Sequence, residues 1–298
     1  MTTSNQSSTP QPHVSAIPLP AGAVADLHLH TRFSDGTDSP ARVVELAHAA
    51  GLSTIAITDH DNVEAFAVAE PVARRLGVEL LTGIEMSAST QGLEVHMLGF
   101  LFDRHHAGLT QHLAEQQARR VERVREMVKR LQRVGVTIDA EEVFEIAGEG
   151  TVGRPHVARA LLKHGYITTL AEAFSRYIGP DNPGFVPGSP LSPARVMRVI
   201  RDAGGVPVLA HPIYLKRDAL IEEFVRDGLV GLEVYHSGHT PEMVRHYGQL
   251  ADRLKLLKTG GSDSHGDAKE GLPIGSVKVP CAFVDGLKAW KTRATNSS

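Results

Sequence analysis

The stretch ADLHLHTRFSDG, residues 25–36, puts two histidines two apart at the end of an apolar run, with a Ser-Asp-Gly turn directly after it. In an extended chain residues two apart share a face, so His28 and His30 point the same way. The same residue types close later apolar runs. Asp59, His60 and Asp61 follow STIAIT, Glu85 lies in TGIEMS and His96 in EVHMLGF. His211 ends VPVLAH, His236 ends LEVYH, and Asp263 with His265 ends LLKTGGSDSH. Neutral imidazoles and carboxylates together suit borderline divalent ions such as zinc, manganese and iron. One strand-end histidine is ordinarily a hydrogen-bonded or exposed residue. Ligand types at the end of nearly every run are another matter: no packing rule requires them, and burying them without partners is costly. The joint pattern reads as a metal site. A carboxylate bridging two cations would set them about 3.5–4 Å apart, the spacing that two-metal hydrolases use.

Such a site needs strands that end on one face. VADLHLH reads as a strand, and SPARVVELAHAAGL as a helix capped by Ser39, opened by Pro40 and stopped at Gly51. A short apolar strand, STIAITDHD, follows. AFAVAEPVARRLG reads as a helix with a kink or boundary at Pro71. VELLTGIEMS and EVHMLGFLF are strand-like. From about residue 108 to 178 the pattern turns helical, in HLAEQQARRVERVREMVKRLQRVG, DAEEVFEIAG and RPHVARALLKHG. A Pro/Gly loop, IGPDNPGFVPGSPLSP, then returns the chain to alternating strands and helices through VPVLAH, DALIEEFVRDG, LVGLEVYH, PEMVRHYGQLADRL and LLKTGGSDSH. The expectation is an α/β chain of parallel strands whose carboxyl ends gather the site. Residues 1–22 read as a disordered leader, 23–105 and 186–290 as a barrel, 106–185 as an inserted helical subdomain, and TRATNSS as a short tail.

Composition narrows the partners. The chain has 298 residues, 42% of them hydrophobic, enough for a sizeable core. Its formal net charge is −3, so no general field gathers nucleic acid or an anionic membrane, and an anionic substrate must be held by local charges. One cysteine fits a reducing compartment, no run approaches the roughly 18 apolar residues of a membrane span, and the N-terminal segment lacks the features of a secretion signal. The expected location is cytoplasmic.

In this order, DLHLHTRFSDG, ITDHD, GIEMS, VHMLGF, AHP and GSDSHG resemble the polymerase and histidinol phosphatase (PHP) family over most of the chain. The resemblance implies a distorted (β/α)7 TIM-like barrel holding two or three divalent ions, manganese first, with iron or zinc as alternatives. Carried over by motif, His28, His30, Glu85 and Asp263 would hold one ion, Glu85, His96 and His211 a second, and Asp35, His60 and His265 a third. Every ligand position is filled by a competent residue. Asp59 and Asp61 read either as partners that orient His60 or as strand-end caps. A helical insertion with an Arg-rich helix and a GRPH segment resembles one branch of the family more closely. Members of that branch remove the 3′-phosphate of nucleoside 3′,5′-bisphosphates, and related members trim short RNA from its 5′ end.

Phosphate ester cleavage needs a nucleophile, charge neutralisation and a protonated leaving group. A metal-activated hydroxide would supply the first. Arg154 in GRPH opens a helix, where fork geometry and the helix N-terminus both favour an anion. Arg119 and Arg123, four apart on one helix face, are further candidates, against a background of Arg120, Arg125, Lys129, Arg130 and Arg133 that reads as a solvated basic face. His156 is a candidate substrate contact. Asp35 and His236 are candidate proton donors, with a hydrogen-bonded strand-end histidine as the other reading of His236. The expected activity is a nucleoside 3′,5′-bisphosphatase acting on a small nucleotide, with 5′-3′ trimming of short RNA beside it. Histidinol-phosphate phosphatase and a non-catalytic metal-binding accessory module are the competing readings, and the complete ligand set argues against the latter.

Overall fold

The computed structural model describes residues 23–269 and 271–296, so the expected leader lies outside the described residues. In chain order the elements begin β1 (Ala23–Leu29), α1 (Pro40–Ala49), β2 (Thr54–Ile57), α2 (Ala65–Leu76), β3 (Glu79–Thr90) and β4 (Leu93–Phe100). A helical run follows: α3 (Ala107–Arg133), α4 (Ala140–Ala147), α5 (Arg154–Lys163), α6 (Leu170–Ala173) with a π-helical turn at Phe174–Ile178, and α7 (Pro193–Asp202). Then come β5 (Val206–Leu209), a short 3-10 turn at Pro212–Tyr214, α8 (Asp218–Asp227), β6 (Gly231–His236), α9 (Pro241–Leu254), β7 (Leu257–Gly261), β8 (Val279–Pro280) and α10 (Cys281–Thr295). Three helices start alike. Ser39, Ser192 and Thr240 each accept from the N–H three residues on, and a proline at the first turn supplies the fixed φ.

The strands form one mixed sheet in the order β7-β6-β5-β4-β3-β2-β1-β8. It is not parallel throughout, as the sequence suggested. β4 runs antiparallel to both β3 and β5, and β8 antiparallel to β1. The reversal comes from a two-residue turn, Gln91-Gly92, with φ of 49° and 77°. Two positive φ values in a two-residue loop make the hairpin turn whose twist matches its strands, and no parallel connection is that short. Pro71 likewise lies inside α2 and does not end it. α10 runs to Thr295, so most of the expected tail is helix.

The sheet nearly closes on itself between β1 and the residues after β7. The Asp263 N–H donates to His28 O (2.9 Å) and the His30 N–H to Ser264 O (3.0 Å). Buried Asp26 pins this seam. Its carboxylate accepts from the Ser262 N–H (2.9 Å), the Ser262 hydroxyl (2.6 Å) and the Gly275 N–H (2.9 Å). The strands approach closely because residue 261 is glycine: a Cβ there would lie 2.4 Å from the His28 nitrogen.

A register shift between Asp26 and Leu29 aims the histidines. Leu27 packs with Ala25, Leu81, Leu98 and Val208 in the barrel interior, which α10 closes with Val284 and Leu287. Leu29, two residues on, packs instead beneath α1 and α2 with Val43, Val44 and Phe66. Strict alternation would put Leu27 and Leu29 on one face; the bulge switches faces and turns the end of β1 toward the site.

The segment expected as a helical insertion has a core of its own, built from Val124, Met127 and Leu131 of α3 with Val143, Val157, Leu161 and Ile178. The start of α3 belongs elsewhere: Leu109 and Leu113 pack with the barrel strands and α7. α3 therefore ties the two cores together. Among the described residues no helix is long and apolar enough to cross a membrane.

Replacing Asp26 by Ala leaves the N–H groups of buried Ser262 and half-buried Gly275 without acceptors, and is expected to cost on the order of 3 kcal/mol. A urea midpoint shift smaller than about a third of that would show that the seam does not depend on this carboxylate.

Candidate metal centre

The strand ends deliver their polar groups to one buried space. Glu85, 1% exposed, is its hub. Its Oε1 lies 2.7 Å from His96 Nδ1 and 2.9 Å from His211 Nε2. Its Oε2 lies 3.2 Å from His28 Nε2, 3.1 Å from His30 Nε2 and 3.4 Å from His60 Nδ1. One carboxylate thus faces two sets of imidazoles, one on each oxygen. Asp263 Oδ1 approaches His28 and His30 Nε2 at 3.4 and 3.3 Å. Asp35 Oδ1 approaches His265 Nε2 at 3.3 Å, and its Oδ2 lies 3.8 Å from His60 Nε2.

Three groups of these atoms are compact enough to hold an ion: His28, His30, Glu85 and Asp263; His30, Asp35, His60 and His265; and His60, Glu85 and His96. The sequence reading grouped His96 and Glu85 with His211. His211 Nε2 faces the same Glu85 oxygen as His96. The donor chemistry fits a divalent cation. His28 and His30 present ring nitrogens to each other at 3.2 Å, and buried His60 Nδ1 has no hydrogen-bond partner. Ring nitrogens and carboxylate oxygens converging on one space suit a shared cation.

Outer partners set the tautomers. His28 Nδ1 donates to Glu233 Oε1 (2.9 Å), which leaves Nε2 bare toward the cluster. His265 Nδ1 donates to Asp263 O (2.8 Å). The Ser34 hydroxyl donates to Asp59 Oδ1 (2.7 Å) and accepts from His30 Nδ1 (3.3 Å). Asp59 also takes the Thr31 N–H (2.7 Å) and hydroxyl (2.6 Å). It therefore organises the turn after β1 and not His60. Asp61 holds Arg120 (2.8 Å from Nε) and the Ser87 N–H (3.3 Å). Asp61, His211 and Asp263 adopt φ of 47°, 23° and 54°, a region costly for non-glycine residues. His211 is held there by its N–H, which donates to Glu233 Oε2 at 2.7 Å.

A cavity of about 620 Å3 opens over this cluster. Asp35, His60, Glu85, His96, His211, Asp263 and His265 form one side. The other side includes Glu94, Arg120, Arg123, Arg154, Leu170, Phe174, Tyr214 and Lys269. Arg154 donates to Glu94 Oε2 (2.8 Å), with its guanidinium 5.7 Å above the Phe174 ring. Arg123 donates from Nε to Val186 O (3.0 Å), while its buried Nη2 makes no hydrogen bond. Arg119 is exposed, bonded to Gln116, and does not line this cavity. Arg120, read as part of a solvated face, lines it instead, because helical phase turns residues 120 and 123, not 119, toward the barrel. His156 is buried away from the cavity and accepts the Gly153 N–H at Nδ1 (3.0 Å). His236, 1% exposed, accepts the Gly238 N–H at Nδ1 (2.9 Å), so its Nε2 proton is directed at Asp263 Oδ2 (3.2 Å) from behind. The sequence reading passed over Glu233, Asp26, Glu94 and Lys269. Glu94 lies two residues before His96 on one strand, a spacing that places both on one face. Glu233 and Asp26 were detectable as acids inside apolar strands. Lys269, 2.6 Å from Asp263 Oδ2, carries no such signal.

Burial raises the cost of every charge here, and the partners override it. Glu85, Asp35 and Asp263 are held well below the usual carboxylate range by the surrounding cations, although desolvation opposes this. His30 is raised to about 9 and His96 to about 10, against desolvation, by Asp263 and Glu85 for the one and by Glu85 and Glu94 for the other. Desolvation lowers His60 and His211. The signs set the pH window. The depressed carboxylates stabilise the fold above about pH 4 and lose that contribution on acidification. The raised histidines stabilise it below about pH 6.5, a contribution lost as pH climbs through 9 to 10.

A family model described as PHP domain matches residues 26–177. A 5′-3′ exoribonuclease of Haemophilus influenzae is 32% identical over 80% of this chain and 89% of that protein. A 3′,5′-nucleoside bisphosphate phosphatase of Chromobacterium violaceum is 32% identical over 85% of this chain and 91% of that protein. A crystal structure from Bifidobacterium adolescentis, described as a candidate metal-dependent phosphoesterase, superposes with a TM-score of 0.84 at 34% identity, covering 91% of this chain and 97% of that one.

Two outcomes follow from the geometry. Adding a divalent ion to metal-free protein at pH 8 should release protons, since His30 and His96 must deprotonate to coordinate. Titration calorimetry in buffers of different ionisation enthalpy reads this, and an enthalpy independent of buffer would contradict it. Glu233→Gln, which weakens the acceptor behind His28, should reduce metal affinity about 10- to 100-fold.

Proposed function

The chain belongs to the PHP domain family, and from that premise we propose that it is a metal-dependent phosphatase that removes the 3′-phosphate of nucleoside 3′,5′-bisphosphates, with 5′-3′ trimming of short RNA as an accompanying activity. The observation that carries this reading is the single cavity that joins a cluster of ion-holding groups to a wall of three arginines.

In this reading His28, His30, Glu85 and Asp263 hold one ion, Glu85, His96 and His211 a second, and Asp35, His60 and His265 a third, with manganese the first choice. When bound, the ions supply an activated water and neutralise the phosphoryl oxygens. The chain's own residues do the rest. Glu233, Ser34 and the Asp263 carbonyl keep ring lone pairs pointed inward. Arg154, Arg123 and Arg120 take the second phosphate. Desolvation lowers Arg123 to about 10, with Arg154 and Arg120 adding to that, so a dianion beside the three relieves their mutual repulsion. Phe174 and Leu170 offer an apolar wall to the nucleoside. Neither Asp35 nor His236 suits the role of proton donor. Asp35 is held ionised, and the His236 proton is already directed at Asp263. A phosphatase for histidinol phosphate would need one phosphate site, and this cavity has cations for two.

The test is phosphate release by manganese-loaded protein from adenosine 3′,5′-bisphosphate, 5′-AMP, 3′-AMP and histidinol phosphate. The bisphosphate should be preferred by about 100-fold in kcat/KM, and Arg154→Ala should raise its KM about 10- to 100-fold, the loss of one charged hydrogen-bond partner. Equal rates on the monophosphates would remove the clamp. Undiminished turnover by the His28→Ala, Asp263→Ala double variant would remove the metal chemistry itself.

A further inference from the structure

Asp35 sits in a tight turn in which the N–H groups of Ser34 and Gly36 both donate to Thr31 O (3.0 Å each). Ser34 and Asp35 point their side chains at the histidines, toward His30, His60 and His265. Three consecutive carbonyls of the same turn meet three donors from one distant segment. The Thr151 N–H donates to Phe33 O (2.9 Å), His156 bonds the Ser34 backbone, and Arg159 Nη2 donates to Asp35 O. The His156 Nδ1 already accepts the Gly153 N–H, so its Nε2 carries the proton that reaches Ser34 O. Burial pushes His156 down to about 4, and the ring stays neutral in that role. The two backbones press together: a Cβ on Gly150 would lie 2.4 Å from Arg32 O. The gripping segment belongs to the inserted helices, and Arg154 on the cavity wall is the first residue of the same helix, α5.

We propose that α5 is a working part of the metal centre: His156 and Arg159 are positioning residues that hold the Asp35 carboxylate in place from the insertion, and thereby set occupancy of the His30–Asp35–His60–His265 group. Neither side chain lines the cavity over the cluster. Their effect passes through the turn backbone, and it is local. The His28–His30–Glu85–Asp263 group shares only His30 with that turn, through Ser34, and takes its carboxylates from β3 and from the residues after β7. The same rigid helix presents Arg154 to the substrate space and Asp35 to the ion space, so the insertion fixes the distance between the two. The inference rests on ion binding by these groups and not on the identity of the substrate.

The test is titration of full-length, metal-depleted protein with manganese, counting ions per chain by elemental analysis after equilibrium dialysis. Arg159→Met should weaken one class of site about 10- to 100-fold and leave the remaining ions at wild-type affinity. Arg159→Lys, whose ammonium can reach the same carbonyl, should restore most of the loss, and His156→Asn, which keeps one acceptor and one donor, should fall between. Thermal unfolding of each variant without metal accompanies the titration. With adenosine 3′,5′-bisphosphate, Arg159→Met should lower kcat and leave KM within about twofold. Wild-type occupancy in Arg159→Met overturns the proposal, as does parallel weakening of every site. A wild type that turns over no bisphosphate would instead sink the substrate reading, and the titration would still decide this one.

Discussion

One buried carboxylate, Glu85, is where the strand ends of the site converge. Glu85 is 1% exposed and lies within 3.4 Å of ring nitrogens from His28, His30, His60, His96 and His211. Isolated charges taken out of water are disfavoured by many kcal/mol, and imidazoles crowded around a carboxylate repel one another once protonated. Without an ion the cluster compromises, with His30 and His96 raised and His60 and His211 lowered. Five ring nitrogens brought to one carboxylate, with His60 Nδ1 left without a hydrogen-bond partner, suit a shared cation.

Holding those groups together takes local departures from regular structure. A bulge in β1 turns His28 and His30 inward, and non-glycine residues in the left-handed region aim Asp61, His211 and Asp263. Such conformations persist only where surrounding bonds over-determine them. Here the bonds come from further acids. Asp26 closes the seam, Asp59 shapes the turn that carries Asp35, and Glu233 holds both a ring and a backbone N–H. The barrel is a frame of carboxylates behind imidazoles, and its strands deliver the two layers together.

How much of this the sequence disclosed follows from which constraints are local. Ligand types at strand ends were legible because a period of two and a terminal position are properties of a short stretch. The hairpin at Gln91-Gly92 was written just as locally, yet alternation on either side of it suggested parallel strands. The choice between Arg119 and Arg120 was not local: it depends on how α3 is rotated against the barrel, and Leu109, Leu113 and Val124 decide that only once the two cores exist. His156 was placed at the substrate on the strength of nearby Arg154, but helical residues two apart diverge by about 200°, and the ring went to the far side of the helix. Asp26 and Glu233 show in the sequence only as acids inside apolar strands, and such an acid looks like an outward-facing residue until the opposite face is also covered.

Charge balance on the cavity wall gives the last step. The chain carries a net −3, yet Arg120, Arg123 and Arg154 meet in one place with Glu94 and Asp61 as their nearest acids. Asp61 is committed to Arg120 through a 2.7 Å ion pair, and Glu94 is divided between Arg154, Arg123 and His96. Three arginines against two acids leave the wall with one positive charge unbalanced, and the unmet donor is Arg123 Nη2. On the facing side the ion-holding groups demand cations of their own. In the proposed reading, the ligand carries negative charge at two ends, with a nucleoside between them that meets Phe174 and Leu170. On the same reading, a monophosphate leaves one end of that requirement open.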